Sequence, residues 1–218
     1  MTSEDIIQDA RKIVLHRLQR TKWYSPEPSK TQLIQTVGAQ LIGRYTVAVA
    51  GEFQAWLGTA YTFARHEKAQ WALKDNLRCE MSQNHSGMLR EFAQSCGVTP
   101  TIADQQYVAA AVNSMQQNIF ANIENVGLGG LTALAVLENA SEIFIPILAN
   151  VATLLGSKNL TYTDVHGEAD KAHSQAFLEA LQAEMGEGYH NPSTVMRVSC
   201  LMTTNYILRI FNDIDVIR

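Results

Sequence analysis

The chain of 218 residues has the composition of a globular protein with one sizeable core, since 46% of its residues are apolar and 17% are charged. Its formal net charge is −4, and its Lys and Arg residues are scattered, so no basic stripe indicates a nucleic-acid partner. Cys79, Cys96 and Cys200 lie far apart and in no CxxC pattern, which argues against a disulfide framework or a zinc knuckle. We expect one domain over residues 1–218.

The apolar stretches of the sequence do not predict a membrane protein. The first residues lack the basic start and the continuous apolar run of a signal peptide. The longest apolar stretch, residues 131–155, is interrupted by Glu138 and Glu142, which disfavours a membrane span. We therefore expect a cytoplasmic protein with no membrane partner.

Residues 1–30 are expected to form a helix followed by a loop. Apolar residues recur at helical spacing from Ile6 to Leu18, and acidic residues fill the first turn, where the positive end of a helix favours them. Pro26 and Pro28 then exclude helical geometry for the residues before them. This pattern predicts an N-terminal helix and a proline-containing loop.

The segment from Thr31 to about Cys79 is rich in Ala, Leu, Gln and aromatic residues and predicts two helices. Arg44 lies inside an apolar run of this segment, and a buried guanidinium group needs a carboxylate partner. That carboxylate can belong to the protein or to a substrate, and we favour an internal partner.

The second half of the chain predicts further helices. The glycine cluster at residues 127–130 lacks the spacing of a nucleotide-binding loop and is interpreted as a turn. A strongly apolar helix, kinked at Pro146, follows it, and Asn191 and Pro192 begin the last helix. No stretch convincingly predicts a strand, so the expected fold class is all-α, a bundle of about seven or eight helices.

The octapeptide HGEADKAH contains the most informative spacing in the chain. His166, Asp170 and His173 are four and three residues apart, which places them at roughly 0°, 40° and −20° around a helix axis. Two imidazoles and a carboxylate on one stripe form half of a metal site. The alternative is an exposed polar helix face.

Glu80 and His85 form a second candidate pair. On one continuous helix they would point about 140° apart, too divergent to share an ion. A break between them is therefore required if both residues bind metal, and the residues SQN at 82–84 are interpreted as that tight connection. The alternative is an exposed terminal Glu and a histidine that caps the next helix.

Glu138 and Glu142 lie four residues apart on the apolar stripe of a middle helix. A carboxylate among core residues is costly unless it is paired or bound to a cation. Glu142 is nearer the expected kink and closer to solvent, so Glu138 is the better ligand candidate, with Glu142 as the alternative.

Together the candidates supply three carboxylates and three imidazoles that project inward from a helical bundle. This ligand set suits two iron or manganese ions, whereas zinc would be expected to use more sulfur or fewer ligands. Two redox-active ions can react with dioxygen, a chemistry that ordinary side chains cannot perform.

These residues resemble the haem-oxygenase-like diiron oxidases and oxygenases. The resemblance covers roughly residues 40–215 and rests on NLxxE at residues 76–80 with His85 shortly after it, on Glu138 after VL, and on HxxxDxxH at residues 166–173. The family pattern implies six iron ligands: Glu80, His85, Glu138, His166, Asp170 and His173.

The resemblance also implies two Fe²⁺ ions per chain, with manganese as an alternative, and dioxygen as co-substrate. Members of the family typically oxidise small carboxylate-bearing molecules by C–C cleavage, decarboxylation, N-oxygenation or nitrile formation, often in natural-product biosynthesis. We expect an amino acid or a derivative, guided by Arg44 or Arg197, and an external electron donor. Dimers are common on this scaffold.

Two other functions stay open on the sequence alone. One is a metal-free enzyme on the same scaffold, resembling thiaminase-type hydrolases or cofactorless oxidases, which would not need Glu138, Asp170 and His173 to converge. The other is a non-catalytic helical interaction module with its His and Glu residues at the surface.

Overall fold

The structure, a computed structural model, describes residues 2–21 and 31–211, and side chains in the second range from residue 35 onward. The described chain is helical, contains no strand and confirms the predicted all-α class. The loop predicted around Pro26 and Pro28 lies outside the described residues. The helices are α1 (Ser3–Leu18), α2 (Thr31–Val49), α3 (Glu52–Phe63), α4 (Glu67–Ser82), α5 (His85–Ser95), α6 (Ile102–Met115) with a π-helical turn (Gln116–Phe120), α7 (Val126–Leu154), α8 (Thr161–Glu184) and α9 (Pro192–Phe211).

Helix α7 is the centre of the bundle and packs against α8, α9, α3 and α1. By length and composition alone it could cross a membrane, but 89% of its apolar window is buried by the other helices. A helix that is apolar on all sides is expected at the core of a bundle. Pro146 lies inside this helix, which continues on both sides of it.

The glycine cluster at residues 127–130 is not the turn that the sequence predicts, because α7 already begins at Val126. Its glycines permit a close helix approach. A Cβ atom on Gly130 would lie 2.9 Å from the Cβ of Ala60 on α3, and one on Gly127 would overlap the carbonyl oxygen of Phe63. Glycine is tolerated here because it lets two backbones meet, a requirement that only the packing reveals.

The segment from Thr31 to Cys79, predicted as two helices, contains three, and the break between α3 and α4 has a tertiary cause. The carboxylate of Glu184, which is fully buried on α8, accepts hydrogen bonds from the backbone N–H groups of Arg65 and His66, both at 2.8 Å. The hydroxyl of Tyr189 donates to the same carboxylate. These bonds hold the chain in a bend before α4 and satisfy N–H groups that a continuous helix would otherwise use.

Candidate metal centre

Four helices bring the six candidate residues together in the interior of the bundle. Glu80 lies at the end of α4, His85 at the start of α5, Glu138 in the middle of α7, and the remaining three on α8. They form two groups of three, and within each group one ligand atom per residue lies within 4.8 Å of the others. The first group is Glu80, His85 and His166, and the second group is Glu138, Asp170 and His173.

The first group is buried and tightly connected. Nδ1 of His85 donates to Oε1 of Glu80 at 2.7 Å, and Nε2 of His166 lies 3.8 Å from the same oxygen. Burial disfavours the charged form of Glu80, but hydrogen bonds and positive charge from His166 and His85 outweigh it and lower the pKa of Glu80 to about 2. Glu80 is therefore ionised and aimed at both imidazoles.

The second group brings two carboxylates close to each other and to a histidine. Nδ1 of His173 lies 3.6 Å from Oε1 of Glu138, too far for a hydrogen bond, and this buried nitrogen has no such partner among the described residues. Burial and the negative charge of Glu138 raise the pKa of Asp170 well above its ordinary value. The group therefore carries clustered negative charge that a bound cation would neutralise.

The break between α4 and α5 is what allows Glu80 and His85 to meet. Helix α4 ends at Ser82, and Asn84 adopts the left-handed conformation, with φ of 52°. Asparagine is one of the few residues that tolerate this conformation. The structure thus contains the tight connection that the divergent helical angle of the two residues predicts.

Two partners outside the six orient the groups. The backbone carbonyl of Tyr162 accepts a hydrogen bond from Nδ1 of His166 at 2.8 Å, which leaves Nε2 facing Glu80. Asn76 donates to Oε1 of Glu138 at 2.6 Å. Asn76 is not among the residues predicted from the sequence, although it lies four residues before Glu80 on the same helix face, which is a usable signal.

Glu142 belongs to neither group. It pairs with Arg11 of α1 at 2.7 Å, and its side chain is 34% exposed, whereas Glu138 is 4% exposed. Of the two glutamates that the sequence left open, only Glu138 therefore reaches the other candidate residues.

A cavity of about 50 Å³ adjoins both groups. It borders five of the six candidates, all but His173, and its other walls are mostly apolar or aromatic. No Lys or Arg is found among the described residues that line it. The remaining lining residues are Tyr45, Val49, Ala50, Phe53, Trp56, Ser86, Leu89, Leu137, Ser141, Phe144, Tyr162 and Tyr206.

The two arginines that the sequence offered for a substrate carboxylate do not line this cavity. The guanidinium carbon of Arg44 lies 3.3 Å from the ring centroid of Tyr107, so its partner is internal, but aromatic. The charge of Asp104 also acts on Arg44. Arg197 is exposed on α9.

A protein-family model described as "Iron-containing redox enzyme", of the haem-oxygenase type, matches residues 44–194. The chain belongs to this family. All six candidate residues lie within the matched range, and the predicted haem-oxygenase-like family is confirmed. The protein is therefore an iron-containing oxidoreductase by family. No curated protein matches the chain.

The two groups fit iron. Carboxylate oxygens and imidazole nitrogens are the ligands of non-haem iron in helical bundles. The buried carboxylates of Glu138 and Asp170 have ligand oxygens within 4.8 Å of each other, and Nδ1 of His173 is buried without a hydrogen bond among the described residues. Such an arrangement is costly in a protein interior unless a cation compensates it.

Proposed function

We propose that this protein is a non-haem diiron oxidase or oxygenase that activates dioxygen to oxidise a small organic molecule. The observation that carries the proposal is the pair of adjacent three-residue groups at one cavity. In this assignment Glu80, His85 and His166 hold one iron, and Glu138, Asp170 and His173 hold the other. Two ferrous ions would supply electrons to dioxygen, with an external donor restoring them.

The chain's own groups prepare the site for metal. Asp170 has a raised pKa because of its burial and the charge of Glu138, so binding a cation there favours loss of its proton. The Tyr162 carbonyl holds the ring of His166 in one orientation. The aromatic and aliphatic walls of the cavity offer packing surface for the apolar part of a small molecule beside both groups.

The proposed substrate is a small carboxylate-bearing molecule, and an amino acid or derivative is the first class to screen. The proposed outcomes are C–C cleavage, decarboxylation, N-oxygenation or nitrile formation. Since neither Arg44 nor Arg197 lines the cavity, the polar end of the substrate finds its partners at the centre itself and on the cavity wall.

The two alternative functions explain the site less well. A metal-free enzyme gives no reason for Glu138, Asp170 and His173 to lie within 4.8 Å of one another in the interior. A non-catalytic interaction module would place such residues at the surface, whereas five of the six are buried.

Anaerobic titration of the metal-free protein with Fe²⁺ tests the proposal. We expect about two irons per chain and a change in the optical spectrum when dioxygen is added. His166→Ala should remove the first site and His173→Ala the second, while His190→Ala, at an exposed histidine outside both groups, should bind iron as the wild type does.

Each other result counts against a specific part of the proposal. One iron per chain that survives His173→Ala refutes the second site. No iron binding by a folded protein refutes the diiron assignment and favours a metal-free enzyme.

A further inference from the structure

Two tyrosines from different helices meet beside the candidate metal centre. The hydroxyl groups of Tyr45 on α2 and Tyr162 on α8 lie 2.9 Å apart and share a hydrogen bond. Both residues are buried, 4% and 2% exposed, and both line the cavity. The ring centroid of Tyr162 lies 4.1 Å from that of His166, so the pair borders the first group.

The pair has two O–H donors, but the hydrogen bond between the two hydroxyls uses only one of them. Each phenol carries one O–H donor, and whichever hydroxyl donates to the other, the accepting hydroxyl still has its proton to place. Neither tyrosine has a second hydrogen-bond acceptor among the described residues. A buried donor left without an acceptor is costly, so a molecule in the cavity is the natural partner.

The other hydroxyl and indole donors on the described cavity wall are already used or reach solvent. The hydroxyl of Tyr206 donates to the carbonyl of Ala48 at 2.8 Å, and the indole N–H of Trp56 donates to Gln116 at 3.3 Å. The hydroxyl of Ser141 donates to the backbone carbonyl of Glu138 at 2.6 Å. Ser86 is only half-buried, so water can satisfy it.

We propose that the Tyr45–Tyr162 pair is the substrate-positioning donor of the cavity, and that it donates a hydrogen bond to an oxygen acceptor of the ligand, such as a carbonyl or carboxylate oxygen. Since no Lys or Arg lines the cavity among the described residues, the pair supplies the donor to that oxygen that a cationic side chain would otherwise supply. It orients the ligand by one directed hydrogen bond while the apolar walls hold the rest of the molecule. That this ligand is the substrate rests on the proposed function, whereas the proposal of a binding site at the pair does not depend on it.

Two probes of the same shape test this selectivity in the full-length, metal-free protein. Cyclohexanone has an oxygen acceptor, and methylenecyclohexane has a CH₂ group in its place. Their dissociation constants are measured by NMR titration of wild type, of the double variant Tyr45→Phe/Tyr162→Phe, and of Tyr206→Phe. The double variant keeps both rings, and replacing both partners of a hydrogen bond by apolar groups of the same shape is close to neutral for folding.

We expect the ratio of the two dissociation constants to favour the ketone in wild type about fivefold more than in the double variant. Tyr206→Phe is the matched control and should keep the wild-type ratio, because its hydroxyl is already used by Ala48. An equal ratio in wild type and double variant, or no binding of either probe, overturns the proposal. Since no metal is present, these results are independent of whether the protein binds iron.

Discussion

Asp170→Asn should change the stability of this protein in opposite directions with and without iron. In the metal-free protein a carboxylate oxygen of Asp170 lies no more than 4.8 Å from one of Glu138. At an effective dielectric constant of about 20, two like charges at that distance repel by about 3 kcal/mol. The attraction of Asp170 to His166 and His173 opposes this repulsion, so we expect a net stabilisation of about 1–2 kcal/mol on removing the charge.

The pH dependence of this gain follows from the direction of the pKa shift. Burial and Glu138 raise the folded-state pKa of Asp170 above its ordinary value of 3.8, so ionisation is less favourable in the folded chain. The wild type therefore loses stability as pH rises from 3.8 through the folded pKa, and the asparagine variant does not. The gain should be near zero below pH 3.8 and should grow as pH rises.

Anaerobic thermal denaturation at pH 8, with a chelator or with Fe²⁺, measures both effects. With chelator we expect Asp170→Asn to melt about 2–8 °C above wild type. With iron at 100 times its dissociation constant, the wild type gains about 2.7 kcal/mol for each site, and the variant loses the gain of the second site.

Asp164→Asn is the matched control, since it makes the same change at an exposed position on the same helix and should shift neither melt appreciably. A metal-free Asp170→Asn protein that is less stable than wild type at pH 8 would refute the electrostatic reasoning.

Two further predictions concern the bends at the start and the end of α4, and a third concerns the ionisation of Glu80. Glu184→Ala should lower the free energy of unfolding by about 3–5 kcal/mol in urea, because the buried N–H and O–H donors lose their acceptor. Tyr189→Phe removes only one of those donors and should lower it by about 1 kcal/mol. Asn84→Ala should lower the free energy of unfolding by about 1 kcal/mol and weaken iron binding at the first group, whereas Asn84→Gly should do neither. Equal effects of the two substitutions would contradict the role of the left-handed conformation at this position. The pKa of Glu80 is lowered from 4.5 to about 2, so its ionised form stabilises the fold above pH 4.5, and this stabilisation is lost as pH falls toward 2. Glu80→Gln should remove that pH-dependent part of the acid unfolding profile of the metal-free protein.

The sequence by itself determined the fold class and the main features of the candidate centre. Helical periodicity is local, so the all-α class and the common stripe of His166, Asp170 and His173 follow from residue spacing. The break after Glu80 was expected on the condition that Glu80 and His85 share an ion, because an uninterrupted helix would point them apart, and the structure contains that break. The assignment of all six residues as ligands of two irons stays a prediction.

Only the tertiary structure decided which partner each buried polar group meets. Spacing could not separate Glu138 from Glu142, because both lie on one stripe, and the choice depends on Arg11 of a distant helix. The same holds for Arg44, whose partner is the ring of Tyr107. The physical reason is that spacing along a helix sets the direction of a side chain, whereas its partner is set by which other helix packs against that face.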